Sequence, residues 1–337
     1  GVDLVEWQLR VAAGEPLPCA QEDLAINGHA FEARLYAEDV PKGFLPATGR
    51  LSHLKFPQGA RADTGVRAGD EISPWYDPMI AKLIVHGPTR AVALRKLEQV
   101  LATTQVAGSV TNLAFLRRLA GHRGFAAGAV DTGLIGRDLD QLAAPLEAGS
   151  QVRALAAMGA LGLTGVAGPL EGFGLWGALR RSVRLRYEAE VFDAVVEVMP
   201  GGTARVSTDD LVHEVARTGM AWHVDGAAVS ADVVPTSAGI TVFWDDGFSF
   251  EIIDPLDVAV GNAAGGGVIE APMPGLVKAV FVAPGDRVAA GDRLAVLEAM
   301  KMEHALNAGR DGVVAEVLVE VGGQVAAGAA LIRLEDE

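Results

Sequence analysis

Residues 271–298 recur at 308–335, an unbroken offset of 37 residues at which 13 of 28 aligned positions are identical. The identical columns include Gly275, Val277, Val280, Gly285, the run Val288-Ala289-Ala290-Gly291, Leu294 and Leu297. Each copy alternates valine or leucine with other residues, turns at a glycine (Pro284-Gly285-Asp286 or Val321-Gly322-Gly323) and resumes as a strand. Alternation at period two is the mark of a half-buried strand. One strand-turn-strand unit cannot bury its own apolar face, so the copies must close on each other. The expected result is a small flattened β-barrel or sandwich with a pseudo-twofold axis, its termini at one end and the connection between copies at the other.

That connection is where chemistry is expected. It reads Leu297-Glu-Ala-Met-Lys-Met-Glu-His304 and places Lys301 near the centre of the joining hairpin. A primary amine on a tight turn is open to acylation, which removes its charge. An isolated lysine would be read as ordinary surface; the two-copy setting and the flanking Met300 and Met302 favour a modified one.

The rest of the chain contains further cores, because 337 residues exceed one ordinary domain. Twenty-eight Lys and Arg against 43 Asp and Glu give a net charge of −15, which repels phosphate backbones and anionic membrane surfaces and excludes nucleic acid as a natural partner. The single cysteine, Cys19, rules out an internal disulfide and points to a reducing compartment. The opening residues read as a helix capped by Asp3 and not as a targeting segment. The uncharged stretch 154–170 is broken by Gly159, Gly162, Gly165, Gly168 and Pro169, so it predicts a buried helix over about 151–163 and not a membrane span. His213-Glu-Val-Ala-Arg217 lacks the second histidine of a zinc-protease helix, and His29, His86, His122 and His304 are dispersed, so no metal site is expected.

Composition divides the chain into residues 1–142, 145–257, a Gly/Ala linker at 258–267, and 268–337, a multidomain α+β protein. In the first block, His29-Ala-Phe-Glu-Ala-Arg-Leu-Tyr-Ala-Glu38 puts Phe31, Ala33, Leu35 and Ala37 inward and Arg34 outward. A strand over 79–86 follows, then a helix capped by Thr89 with Leu94, Leu97, Val100 and Leu101 inward, and a second helix from Thr111 with Leu113, Leu116 and Leu119 at helical spacing. The middle block predicts a buried Ala/Gly helix wrapped by antiparallel strands at about 182–187, 190–199, 203–207, 211–217 and 239–244, with turns at Pro200-Gly-Gly202, Asp225-Gly226 and Asp246-Gly247.

Glu298-Ala299-Met300-Lys301-Met302, with Pro272-Met-Pro-Gly275 opening the first copy, resembles the biotinyl domain of biotin-dependent carboxylases. The resemblance implies biotin in amide linkage on Lys301, attached by a biotin protein ligase. Lipoyl domains share the barrel but carry acidic and small residues where this chain has two methionines. Gly28-His-Ala-Phe-Glu-Ala-Arg-Leu-Tyr-Ala-Glu-Asp39, Phe44-Leu-Pro46 and Tyr76-Asp-Pro-Met-Ile-Ala-Lys-Leu-Ile-Val85 look like the C-terminal lobe of biotin carboxylase, an ATP-grasp enzyme. In that family the arginine of the Glu-x-Arg strand holds the biotin ureido oxygen and steadies its enolate, a role that falls on Arg34. A structural pairing of Arg34 with Glu32 or Glu38 is the alternative.

The middle block resembles, more loosely, the domain linking an acyl-CoA carboxylase α subunit to its carboxyltransferase (β) partner. Trp176-Gly-Ala-Leu-Arg-Arg-Ser-Val-Arg-Leu-Arg186, Thr111-Asn-Leu-Ala-Phe-Leu116 and Val130-Asp-Thr-Gly-Leu-Ile135 are similar to 3-methylcrotonyl-CoA carboxylase α subunits. The implied activity uses ATP with Mg or Mn, bicarbonate and an acyl-CoA. The family's Gly-rich lid, nucleotide-binding lysines and metal-binding glutamates precede this lobe, so the chain by itself is expected not to carboxylate biotin. Propionyl-, acetyl- or geranyl-CoA specificity and a non-catalytic biotin or lipoyl carrier are the competing readings. The implied compartment is the bacterial cytoplasm, or the mitochondrial matrix in a eukaryote.

Overall fold

The computed structural model describes residues 2–165, 177–199, 202–209, 211–219, 221–237, 239–254, 267–299 and 302–335. Helix α1 (Leu4–Ala12) begins where the Asp3 carboxylate accepts hydrogen bonds from the Val5 and Glu6 amides at 3.0 and 3.1 Å, the cap its sequence predicts. Strand β1 (His29–Tyr36) lies beside β3 (Met79–Gly87), which in turn pairs with β2 (Arg61–Thr64) in an antiparallel sheet of order β1-β3-β2. Ala33 and Leu35 are buried while Arg34 between them is exposed, as the alternation requires.

Helix α2 (Arg90–Thr103) is capped by the Thr89 hydroxyl, which accepts from the Val92 amide at 3.3 Å. It lays Leu94, Leu97, Val100 and Leu101 against the sheet. Helix α3 (Leu113–Gly121) departs from the leucine stripe: Phe115 and Ala120 are its buried residues, and Leu113 and Leu116 are only partly covered. The helix lies against the open edge of β1, with Phe115 turned into a small separate cluster with Val40 and Leu142, and this rotates its apolar face away from the predicted one.

The middle region is built on helix α4 (Ser150–Ala160), in which Val152 and residues 154–159 are buried. Around it curls one nine-stranded antiparallel sheet. Its strands are β4 (Leu179–Tyr187), β5 (Glu190–Val198), β6 (Thr203–Thr208), β7 (Leu211–Thr218), β8 (Ala221–Val224), β9 (Ala227–Val229), β10 (Asp232–Pro235), β11 (Gly239–Trp244) and β12 (Asp246–Ile253). They run in the order β9-β8-β7-β6-β5-β4-β12-β11-β10. Small residues along α4 let the sheet approach: a Cβ at Gly159 would lie 2.5 Å from Val233 Cγ1 and 2.9 Å from Ile240 Cγ2. The turn expected at Asp246-Gly247 is displaced by one residue. Asp245, at φ +61°, makes the turn, and Asp246 and Gly247 already belong to β12, because the Asp side chain tolerates the left-handed region. The Pro200-Gly201 turn and the Trp176 end of the predicted motif fall outside the described residues, as do residues 255–266, which include all of the predicted 258–267 linker but Gly267.

The N-terminal end of α4 is tied down by hairpin turns. Arg153 in its first turn donates to Glu190 Oε1 at 2.8 Å and lies 3.4 Å from Asp209, while Gln151 donates to Asp225 at 3.2 Å. Carboxylates gathered at a helix N-terminus also complement its dipole. The first and middle regions touch through Arg117 of α3, whose guanidinium lies 2.8 Å from Asp246 and donates to the Asp245 carbonyl. Asp232 adds contacts to Gln105 at 2.7 Å and Lys55 at 3.5 Å.

The last region consists of two four-stranded sheets. Its strands are β13 (Val268–Glu270), β14 (Gly275–Val280), β15 (Arg287–Val288), β16 (Arg293–Ala299), β17 (Met302–Asn307), β18 (Gly312–Val317), β19 (Gln324–Val325) and β20 (Ala330–Leu334). One sheet has the order β13-β20-β18-β15 and the other β17-β16-β14-β19. The 37-residue offset maps β14 onto β18, β15 onto β19 and the start of β16 onto β20. Each sheet therefore mixes strands of both copies, as a pseudo-twofold barrel demands. Val277, Leu294, Leu297, Val314, Leu331 and Ile332 fill the space between. Among the described residues no helix is long and apolar enough to cross a membrane.

Candidate functional site

The proposed attachment hairpin is β16 and β17, whose register ends with Ala299 opposite Met302. The connection is therefore residues 300–301; Met300 and Lys301 lie outside the described residues. What surrounds them is well defined. Ala299 is buried, and Glu298 lies directly opposite Glu303. Lys278 of the neighbouring strand β14 reaches both acids, 3.4 Å from Glu298 and hydrogen-bonded to Glu303, and these two carboxylates hold its ammonium above the ordinary lysine pKa. The Pro272-Met-Pro-Gly275 segment supports the same hairpin from beneath. Met273 is buried, and a Cβ at Gly275 would lie 2.9 Å from the Glu298 carbonyl oxygen, so only glycine allows this approach without a shift.

Arg34 projects from β1 toward solvent, 61% exposed, with Nε 3.5 Å from Glu32 Oε1. Hydrogen bonding and charge from Tyr36 and Glu32 raise its pKa further, so it is permanently cationic. Of the two acids expected to compete for it, Glu32 touches it loosely; Glu38 instead faces Asn112 at 3.5 Å. Burial, then the nearby Asp77 charge, push the Glu38 carboxyl above the usual range. Arg34, Glu32, Tyr36, Glu38 and Asn112 line a cleft of about 290 Å³ together with the apolar side chains of Phe44, Leu97, Phe115, Leu116, Leu119 and Phe125. A fixed cation at the mouth of an apolar cleft can bind a polar oxygen and stabilise negative charge developing on it. Sequence reasoning passed over Asn112 and Lys278; the second is the one other lysine in residues 268–337, a signal that could have found it, whereas the first is revealed by its burial and its contacts with β1.

Among the described residues no group of three or more His, Cys, Asp or Glu is arranged to hold a metal ion.

Comparison with known proteins assigns the two outer regions. Residues 32–137 match the biotin carboxylase C-terminal domain and residues 267–334 the family described as biotin-requiring enzyme. Methylcrotonoyl-CoA carboxylase subunit alpha from Rattus norvegicus is 37% identical over 371 residues, covering 100% of this chain and 51% of the relative. The propionyl-CoA carboxylase alpha chain of Caenorhabditis elegans is 34% identical over 357 residues, covering 92% of this chain and 48% of the relative. Among solved structures, the biotin carboxylase subunit of pyruvate carboxylase aligns at 36% identity and a TM-score of 0.42, covering 44% of this chain and 33% of that one. The chain spans about half the length of the curated relatives it matches along its whole length. With a biotin carboxylase C-terminal domain and a biotinyl domain on one polypeptide, and similarity from end to end to acyl-CoA carboxylase α subunits, the chain belongs to the biotin-dependent carboxylases.

Proposed function

We propose that this chain is the C-terminal part of the biotin-carrying α subunit of an acyl-CoA carboxylase of the 3-methylcrotonyl-CoA type, with biotin attached to Lys301 by a biotin protein ligase. The observation that carries the reading is the repeat-built barrel matched to the biotin-requiring enzymes, whose β16-β17 hairpin brings Glu298-Ala299-Met300-Lys301-Met302 to its connection. Lys301 and Lys278 are the lysines of residues 268–337. Lys278 is held by two carboxylates, which leaves Lys301 as the amine to acylate.

Biotin, when attached, supplies a ureido nitrogen that takes up a carboxyl group at one active site and gives it up at another. The chain's own residues bind and carry. Arg34 donates hydrogen bonds to the ureido oxygen at the mouth of its cleft and holds its positive charge there. The region 145–257 docks the carboxyltransferase β subunit, and the Gly/Ala segment 258–267 tethers the carrier region 268–337, replacing diffusion with a high effective concentration. ATP, its Mg or Mn ion and bicarbonate bind a part of the full-length subunit other than the residues described. The compartment is the cytoplasm in a bacterium and the mitochondrial matrix in a eukaryote.

The test is Lys301→Arg, co-expressed with a biotin protein ligase. The variant keeps charge and fold yet carries no biotin by intact mass or streptavidin blot; a biotinylated variant refutes the attachment site. The similarity to the Caenorhabditis elegans propionyl-CoA carboxylase alpha chain supports propionyl-CoA as the second reading. Assay of the assembled enzyme with both acyl-CoA substrates separates the two.

A further inference from the structure

Asn112 occupies the N-cap position of helix α3, yet its side chain makes no capping hydrogen bond to that helix. Asparagine at an N-cap ordinarily accepts from the amides of its own first turn. Here both ends of the amide are turned to the open edge of β1. Oδ1 accepts from the Tyr36 amide at 3.0 Å, Nδ2 donates to the Arg34 carbonyl at 3.2 Å, and the Asn112 backbone amide donates to the Tyr36 carbonyl at 3.1 Å. The residue is 5% exposed. One side-chain amide thus plays the part of a neighbouring strand's peptide group at Arg34 and Tyr36.

The other edge of β1 explains why this is needed. The register with β3 runs evenly to Leu35 opposite Ala81 and then jumps to Tyr36 opposite Met79, leaving Ile80 unmatched. A bulge bends a strand and disrupts its ladder, and this one lies one residue beyond Arg34. Arg34 itself is regularly paired with Lys82 of β3, but the ladder is broken just beyond it at Tyr36, the residue that Asn112 holds from the other edge.

We propose that Asn112 is the positioning residue for Arg34, fixing the strand end from which the guanidinium meets the ureido group of biotin. The inference rests on the reading of Arg34 as the biotin-binding cation. Loss of the Asn112 amide frees the strand end without removing the cation, so it weakens capture of biotin and leaves nucleotide binding alone.

The experiment compares Asn112→Ala and Arg34→Lys. In this chain, hydrogen exchange at the Tyr36 amide is about tenfold or more faster in Asn112→Ala. In the full-length subunit with free biotin as acceptor, Asn112→Ala raises KM for biotin about tenfold with KM for ATP unchanged. Wild-type exchange at Tyr36 in Asn112→Ala, or equal losses in both KM values, overturns the positioning role. An unchanged biotin KM in Arg34→Lys overturns the underlying reading of Arg34 instead.

Discussion

Glu298 and Glu303 face each other across the β16-β17 hairpin, and Lys278 bridges the two. Like charges directly opposite on a sheet destabilise it, so the third strand supplies the counter-charge at the end of the hairpin next to the proposed attachment connection.

Lys278→Ala is therefore expected to lower the unfolding temperature of the carrier region, and Lys278→Glu to lower it further. Salt screens exposed charges, so the deficit shrinks as ionic strength rises from about 0.05 M to about 1 M. Thermal unfolding across that range checks the assignment; a deficit independent of salt contradicts it.

Gly159→Ala tests how α4 fits its sheet. Alanine improves helix propensity by about 1 kcal/mol, but its methyl group would meet Val233 Cγ1 at 2.5 Å. Overpacking of this kind costs about 1–3 kcal/mol, so the variant is expected to be destabilised in urea, and a stabilised protein would show that the sheet yields.

Tyr187 gives the middle region a pH dependence. Its hydroxyl donates to the Leu146 carbonyl at 2.8 Å, and burial, followed by the Glu188 charge, pushes its pKa up to about 12 from 10.0. The folded state then holds the proton more tightly than the unfolded one. Its contribution is complete below pH 10 and is lost as pH rises toward 12. Tyr187→Phe is expected to cost about 1 kcal/mol at neutral pH and to flatten the loss of stability above pH 10; an unchanged alkaline slope contradicts the linkage.

Arg117 joins the first two regions through Asp246 at 2.8 Å, with the two side chains 33% and 26% exposed. A double-mutant cycle of Arg117→Ala and Asp246→Asn is expected to return a coupling of about 1 kcal/mol. Additive effects would show that the contact does not hold the regions together.

Much of this was legible because it is local or periodic. The alternation around Arg34, the Thr89 cap, the Ala/Gly helix and the strands of the repeat are all written in residues near one another. What stayed hidden depends on contacts across the chain. Asn112 meets Tyr36 from 76 positions away, and no periodicity records a side chain that caps a sheet edge in place of its own helix. Strands β8, β9 and β10 have three or four residues each, too few to alternate visibly. The rotated face of α3 was set by tertiary packing, with Phe115 drawn into the cluster of Val40 and Leu142. The proposal for Lys301 rests on the motif Met300-Lys301-Met302 itself, since residues 300–301 lie outside the described residues.

The exchange of strands between the two copies has a consequence for the order in which the barrel can form. Strand β16 is held between β17 and β14 and receives β19 through β14, while β13 finds its partner in β20 near residue 334. During synthesis the first copy emerges without the strands that complete its sheet, and it cannot mature ahead of the second. The barrel is thus completed as one unit, and only after the second copy has left the ribosome.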